Sequence, residues 1–202
     1  MSVPKSTESV WASFLKGSQF FMSQGPIHEA LRRLSESLQD EGIDWVLVGG
    51  MALFAHGYRR FTEDIDVLLT AEGLASFRER LVGRGYRPAF EGATRTFSDT
   101  ASGVRIEVLT TGGFPGDGKP KPVAFPDPRA VRFEREGLWL IRLEPLVELK
   151  LASGLSAPHR LKDLADVQEM IKIFDLPPEL AERLDASVRD EYLRLWEATR
   201  GA

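Results

Sequence analysis

Two carboxylates, Asp64 and Asp66, flank one isoleucine in the stretch Asp64-Ile65-Asp66-Val67-Leu68-Leu69. The stretch reads as a strand. Side chains alternate faces along a strand, so both acids share one face while Ile65 and Val67 turn to a core. Carboxylates held that close repel and raise each other's pKa, and a divalent cation relieves the repulsion. Hard oxygen ligands on a rigid strand suit Mg²⁺, which usually takes one or two carboxylates plus substrate phosphates. A second apolar-patterned stretch, Val104-Arg105-Ile106-Glu107-Val108, offers Glu107 as a third acid from a neighbouring strand. The competing reading is the solvated face of an edge strand, which is what most isolated Asp-x-Asp pairs are.

Upstream, the apolar run Trp45-Val46-Leu47-Val48 ends in Gly49-Gly50, and an Ala- and Leu-rich segment that reads as a helix follows directly. Glycine there lets the backbone approach a ligand, and a helix N-terminus presents N–H groups to phosphate. A plain strand-to-helix turn is the alternative. Downstream lie Lys150 and the run Arg160-Leu161-Lys162-Asp163-Leu164-Ala165-Asp166. Leu161, Leu164, Val167, Met170 and Ile171 form an apolar helical stripe, and Lys162, Asp163 and Asp166 share another face. Such charge spacing usually makes a solvated face with weak ion pairs, and Lys150 reads equally well as a surface lysine laid along apolar surface.

The elements that must position these residues follow from punctuation. Pro26 opens a helix with Ile27, Leu31, Leu34 and Leu38 at helical spacing, and Gly42 stops it. Another helix carries Leu74, Phe77 and Leu81, with Gly83 or Gly85 near its end. Residues 94–100 and 104–110 flank Ser102-Gly103 and predict a hairpin, and residues 130–145 predict a second, turning at Glu136-Gly137. Residues 111–128 hold four glycines and five prolines, so they form neither helix nor central strand. A loop that long is functional or disordered, and its Lys119 and Lys121 read as solvated. Pro145 and Pro158 suit the first turns of two helices, Pro177-Pro178 ends the second, and a charged helix or pair of helices closes the chain. The expected architecture is α+β. An arm, 1–24, precedes a small mixed β-sheet with helices packed on it, 25–143, and a C-terminal helical region, 144–202, follows.

Composition sets limits on function. The chain has 202 residues, 43% apolar and 28% charged, as expected for one domain or one domain with a helical extension. There is no cysteine, which excludes a disulfide framework and a thiolate metal site. Three histidines in no ligand spacing argue against zinc. Trp139 and Trp196 sit among apolar residues and are expected in the core. No run approaches the ~18 apolar residues of a membrane span, and the N-terminus lacks the pattern of a signal peptide, so a cytoplasmic protein with no membrane partner is expected. A net charge of −4 still leaves room for a local basic patch and an RNA partner.

Val48-Gly49-Gly50, 13 further residues, then Asp64-Ile65-Asp66-Val67 resembles the signature of the polymerase-β-like nucleotidyltransferase superfamily. Arg60-Phe61-Thr62-Glu63-Asp64-Ile65-Asp66 resembles the Arg-x-Thr-x-Asp-x-Asp form of small bacterial members. Lys150 followed by Arg160-x-Lys162-Asp163-x-x-Asp166 resembles the helical motif of the AbiEii/MenA-like, toxin-type members. The resemblance implies a nucleotidyltransferase fold and transfer of NMP from an NTP to a hydroxyl acceptor with release of pyrophosphate. It implies Asp64, Asp66 and Glu107 as ligands of Mg²⁺, with Mn²⁺ as the alternative ion. Glu107 would either help take the acceptor's proton or serve as a ligand alone. Lys150 would be catalytic, neutralising phosphate charge with support from Arg160 or Lys162. Asp163 and Asp166 would orient those cations or contact the nucleotide. Gly49, Gly50, Arg60 and Thr62 complete the implied nucleotide site. The implied partners are an NTP, an acceptor that is an RNA end such as tRNA, a protein or a small molecule, and a cognate antitoxin. An antibiotic-modifying enzyme and a non-catalytic relative that binds nucleotide or a partner are the alternatives. The presence of all three acids argues against the non-catalytic one.

Overall fold

The computed structural model describes residues 26–60 and 62–201, so the arm expected at 1–24 lies outside the described residues. The chain divides into two compact units. The first comprises the described part of Lys5–Thr111 with Pro126–Ile141, and the second comprises Gly112–Phe125 with Arg142–Ala202.

The first unit is built on a mixed sheet. Its strand β1 (Trp45–Val48) is buried at every residue, as a continuous apolar run predicts for a strand covered on both faces. It pairs antiparallel with β2 (Asp64–Leu69). The described residues also form β3 (Tyr86–Pro88), β4 (Thr96–Asp99), β5 (Arg105–Thr110), β6 (Arg132–Arg135) and β7 (Leu138–Ile141). The seven strands lie in the order β3-β4-β5-β2-β1-β7-β6. The strand bearing Asp64 and Asp66 is therefore the middle one, which removes the edge-strand alternative. Both expected hairpins form, β4 with β5 and β6 with β7. Strand β3 has no counterpart in the sequence reading. At three residues it is too short to show a period, and its Pro88 is tolerated because β3 closes one edge of the sheet.

Helices pack on this sheet. In α1 (Pro26–Asp40) the residues Ile27, Leu31, Leu34 and Leu38 are all buried, as their spacing required. Helix α2 (Gly49–His56) starts on the two glycines themselves rather than after them. Helix α3 (Ala71–Arg80) is capped by Thr70, whose hydroxyl accepts from the Gly73 N–H at 3.0 Å. A short α4 (Pro128–Val131) precedes β6. Helix α1 is tied to the β4–β5 hairpin by Arg33, which donates to both carboxylate oxygens of Asp99 at 3.3 and 2.7 Å. Burial pushes the Asp99 carboxyl up, but Arg33 and the Ser102 hydrogen bonds outweigh it and hold it below the usual range.

The second unit is helical: α5 (Leu143–Ser156), a 3-10 turn at Pro158–Arg160, α6 (Leu161–Ile173), a 3-10 segment at Pro178–Arg183 and α7 (Ala186–Arg200). The segment Gly112–Phe125 belongs to it and contains no helix or strand. Its ends are joined by hydrogen bonds from Gly112 N–H to Phe125 O and from Phe125 N–H to Gly113 O. Lys121 is not the solvated lysine expected, because its ammonium donates to Pro115 O and to Asp117. Leu161 is a second correction. It is 64% exposed, whereas the stripe had placed it in the core. The tryptophans are a third: Trp139 and Trp196 are half-buried, each covered by a guanidinium, Arg132 at 4.2 Å and Arg200 at 5.0 Å from the ring centre. A cation over the ring face is favourable and lets the rim of an indole stay at the surface. Among the described residues, no helix is long and apolar enough to cross a membrane.

Candidate active site

Strands β2 and β5 run parallel and in register, with Asp64 opposite Arg105 and Asp66 opposite Glu107. Residues paired across neighbouring strands share a face, so these four side chains emerge together. Between them, Ile65 and Ile106 pair on the other face and are fully buried. One carboxylate oxygen from each of Asp64, Asp66 and Glu107 lies within 4.8 Å of the others, and all three residues are half-buried. The donors are oxygens, the strands are central and therefore rigid, and the charges are alike. That set fits a hard divalent cation.

The glycines explain how the acids are held. Val48, the last residue of β1, lies opposite Asp66. Gly49 follows with φ +62°, a conformation that L side chains rarely adopt, and a Cβ there would overlap the Asp66 carboxylate. A Cβ at Gly50 would sit 2.8 Å from Thr62 Oγ1. Thr62 in turn donates its hydroxyl to Asp64 Oδ1 at 2.9 Å. Each glycine thus clears space for one part of the acid strand, which makes Gly-Gly and Thr-x-Asp-x-Asp a single packing unit. Val48 caps α2 with no side-chain hydrogen bond, so its first-turn N–H groups are not taken up by the cap residue's side chain. At the far end of α2, His56 Nε2 lies 2.7 Å from Ile141 O. Burial lowers the His56 pKa, the hydrogen bond to Ile141 opposes the shift, and the Arg135 charge adds to it. Arg60 is half-buried, two residues before Thr62.

The helical unit gathers the other set. Lys150, on α5, donates to Asp163 Oδ1 at 2.9 Å and to Asp166 Oδ2 at 2.7 Å, both on α6. Ser153 donates to Asp163 Oδ2 at 2.6 Å. Lys150 is 7% exposed and Asp166 3%, so neither the surface-lysine reading nor the solvated face survives. Helix α6 is turned so that Asp166 faces inward and Leu161 outward, because a buried ammonium on α5 requires its carboxylates. Burial pushes the Asp163 carboxyl up, but the Lys150 charge and the hydrogen bonds from Ser153 and Lys150 prevail and hold it below the usual range. Asp163 and Asp166 orient Lys150, whereas Arg160 and Lys162 are exposed.

Two residues went unnoticed in the sequence. Arg105 stands two positions before Glu107, the strand spacing that shares a face, and its guanidinium is 3.2 Å from Glu107 Oε2. Ser153 follows Lys150 by three positions, one helical turn, so it could have been found by the same rule that pairs Asp163 with Asp166.

The sequence profile of the family described as nucleotidyl transferase AbiEii toxin, type IV TA system, matches residues 29–144. That span holds Gly49, Gly50, Thr62, Asp64, Asp66 and Glu107 and stops short of Lys150. A search of curated proteins finds no match. Among solved structures, JHP933 from Helicobacter pylori aligns over 85% of this chain and 88% of its own at 17% identity, with a TM-score of 0.47. TM1012 from Thermotoga maritima aligns over 73% of this chain and 91% of its own at 19% identity, with a TM-score of 0.44. Likenesses that loose carry no functional argument.

Proposed function

The chain belongs to the AbiEii family of nucleotidyltransferases, and from that premise we propose that it transfers a nucleoside monophosphate from an NTP to a hydroxyl acceptor, with pyrophosphate leaving. In this reading it acts in the cytoplasm as the toxin of a toxin–antitoxin or phage-defence system. Its acceptor is an RNA end such as tRNA, a protein hydroxyl or a small molecule. Residues 25–143 form the catalytic core, 144–202 the helical extension and 1–24 an arm.

The observation that carries the reading is the meeting of Asp64, Asp66 and Glu107 on two central strands, with oxygens within 4.8 Å. These residues would hold Mg²⁺ or Mn²⁺, which supplies charge stabilisation at the phosphoryl, entering and leaving oxygens when bound. Thr62 keeps Asp64 in one orientation by occupying Oδ1. Gly49 and Gly50 bring the backbone N–H groups of the α2 start to the substrate phosphates, and Arg60 adds positive charge beside them. Glu107 is placed either to accept the acceptor's proton or to act as a ligand alone. In the helical unit, Arg160 and Lys162 are exposed cations that could support the phosphate. Asp163 and Asp166 hold Lys150, whose charge would contribute to binding the nucleotide.

The test is direct. Purified protein with Mg²⁺ and each labelled NTP is expected to release pyrophosphate or label an acceptor, and Asp64→Ala or Asp66→Ala to abolish this. A double variant that labels as well as the wild type would overturn the reading. NTP and metal binding without transfer to any acceptor class would favour the non-catalytic relative instead.

A further inference from the structure

We propose that Arg105 is the resident counter-ion of the acidic site and that a divalent cation must displace it from Glu107 to bind. The proposal rests on the reading of Asp64, Asp66 and Glu107 as a cation site.

The backbone places Arg105 there. It is the register partner of Asp64 on the adjacent strand, so their Cα atoms are about one strand spacing, ~4.8 Å, apart. It also stands two residues before Glu107, on the same face. Its Nη2 lies 3.2 Å from Glu107 Oε2. One arginine is thus paired with one of the three acids that a cation would use and stands at the strand position opposite a second. The pair is exchangeable because it is open: the Arg105 side chain is 55% exposed and that of Glu107 39%. Ion pairs exposed to that degree contribute little net stability, since water and salt compete for both partners. Lys150 in the helical unit shows the contrast, because its side chain and those of Asp166 and Asp163 are only 9%, 4% and 18% exposed and it has no such exit.

A metal ion and the guanidinium compete for the same carboxylate and repel each other. Removing the arginine charge should therefore tighten metal binding. For one unit charge displaced to about 6–12 Å from a divalent ion in a water-like dielectric, Coulomb's law corresponds to a gain of roughly three- to tenfold. Screening should shrink that gain at high salt.

The experiment measures Mn²⁺ affinity without nucleotide, by electron paramagnetic resonance of the free ion at low ionic strength, with circular dichroism to check folding. Wild type is compared with Arg105→Gln, Arg105→Lys and Arg87→Gln. Arg87 lies on the same cross-strand row, Arg87–Ser98–Arg105, two strands beyond Arg105, and controls for a general change of net charge. The expected result is Arg105→Gln tighter by roughly three- to tenfold, Arg105→Lys near wild type and Arg87→Gln changed less than Arg105→Gln. An Arg105→Gln affinity equal to or weaker than wild type overturns the proposal while the cation site stands. So does an Arg105→Lys affinity as tight as that of Arg105→Gln. A wild type that binds no Mn²⁺ overturns both the proposal and the cation reading beneath it.

Discussion

In the sheet unit, Asp64, Asp66 and Glu107 converge half-exposed, with an exposed arginine beside them. In the helical unit, Asp163 and Asp166 close around the ammonium of a buried lysine, and a serine hydroxyl takes a further oxygen. Both clusters bring carboxylates together with a basic side chain. They differ in burial, and burial decides how each is neutralised. A carboxylate taken out of water needs a permanent partner, because an uncompensated buried charge is very costly. A carboxylate that keeps part of its hydration tolerates a charge deficit, and that deficit is what a ligand can fill. The first cluster is open to a ligand, whereas the second, whatever charge Lys150 lends to a nucleotide, ties two helices together.

That contrast breaks most visibly under paired substitutions. Asp66→Asn should cut nucleotidyl transfer on the order of 10³-fold, the equivalent of several kcal/mol of lost charge stabilisation. Thermal unfolding should show its midpoint lowered less than by Lys150→Met, because the substitution relieves a repulsion among the three acids. Lys150→Met should lower the unfolding free energy by about 3–5 kcal/mol in urea titrations, because it strands Asp166 and Asp163. If Lys150→Met costs less than about 1 kcal/mol, the value typical of an exposed pair, the distinction between the clusters fails.

Gly49→Ala sharpens the account of the first cluster. The positive φ costs about 1–3 kcal/mol, and the new methyl group overlaps the Asp66 carboxylate. Loss of Mn²⁺ affinity by more than the loss of stability, read by titration on the folded variant, would show that the glycine serves the acid and not the turn alone. Thr62→Val removes the hydroxyl that holds Asp64, worth ~1 kcal/mol or about five- to tenfold in turnover. Thr62→Ser should restore most of it, and a serine variant as slow as valine would assign the effect to packing.

Acidification should separate the units by the smallest effect. His56, in the sheet unit, has its folded pKa lowered from 6.5, so its contribution is full above that value and is lost as pH falls toward the lowered one. Asp163, in the helical unit, has its folded pKa lowered from 3.8, so its contribution persists until pH falls below that value and through the lowered one. Hydrogen exchange at about pH 5, within the range where histidine titrates, should therefore show the sheet unit loosened first. His56→Gln should remove the difference.

Much of the sheet unit was legible before any coordinates. The apolar run of β1, the glycine turn, α2 and the acid strand are contiguous, and each announces itself through local spacing. Thr62 was legible as part of a motif but not as the donor to Asp64, because a hydroxyl's partner is set by a side-chain rotamer. Strand β3 escaped notice because three residues show no period. The helical unit was read with its helices in the right order, and Val167, Met170 and Ile171 of the α6 stripe are buried as expected, but Leu161 is exposed and Asp166 is buried. Leu161 and Asp166 both fit an amphipathic helix, and the pattern could not register that an ammonium on α5 would draw Asp166 inward.

The sequence by itself determined that Asp64 and Asp66 share a face, because a strand repeats every two residues. It also determined that a glycine turn and a short helix precede them, because turn and helix signals are local. Only the tertiary structure decided that β2 is the middle strand, that Glu107 stands opposite Asp66, that Arg105 stands opposite Asp64 and that Lys150 is buried between Asp163 and Asp166. Those facts depend on parallel register and on helix rotation. Both are set by contacts between segments tens of residues apart, which no local periodicity records.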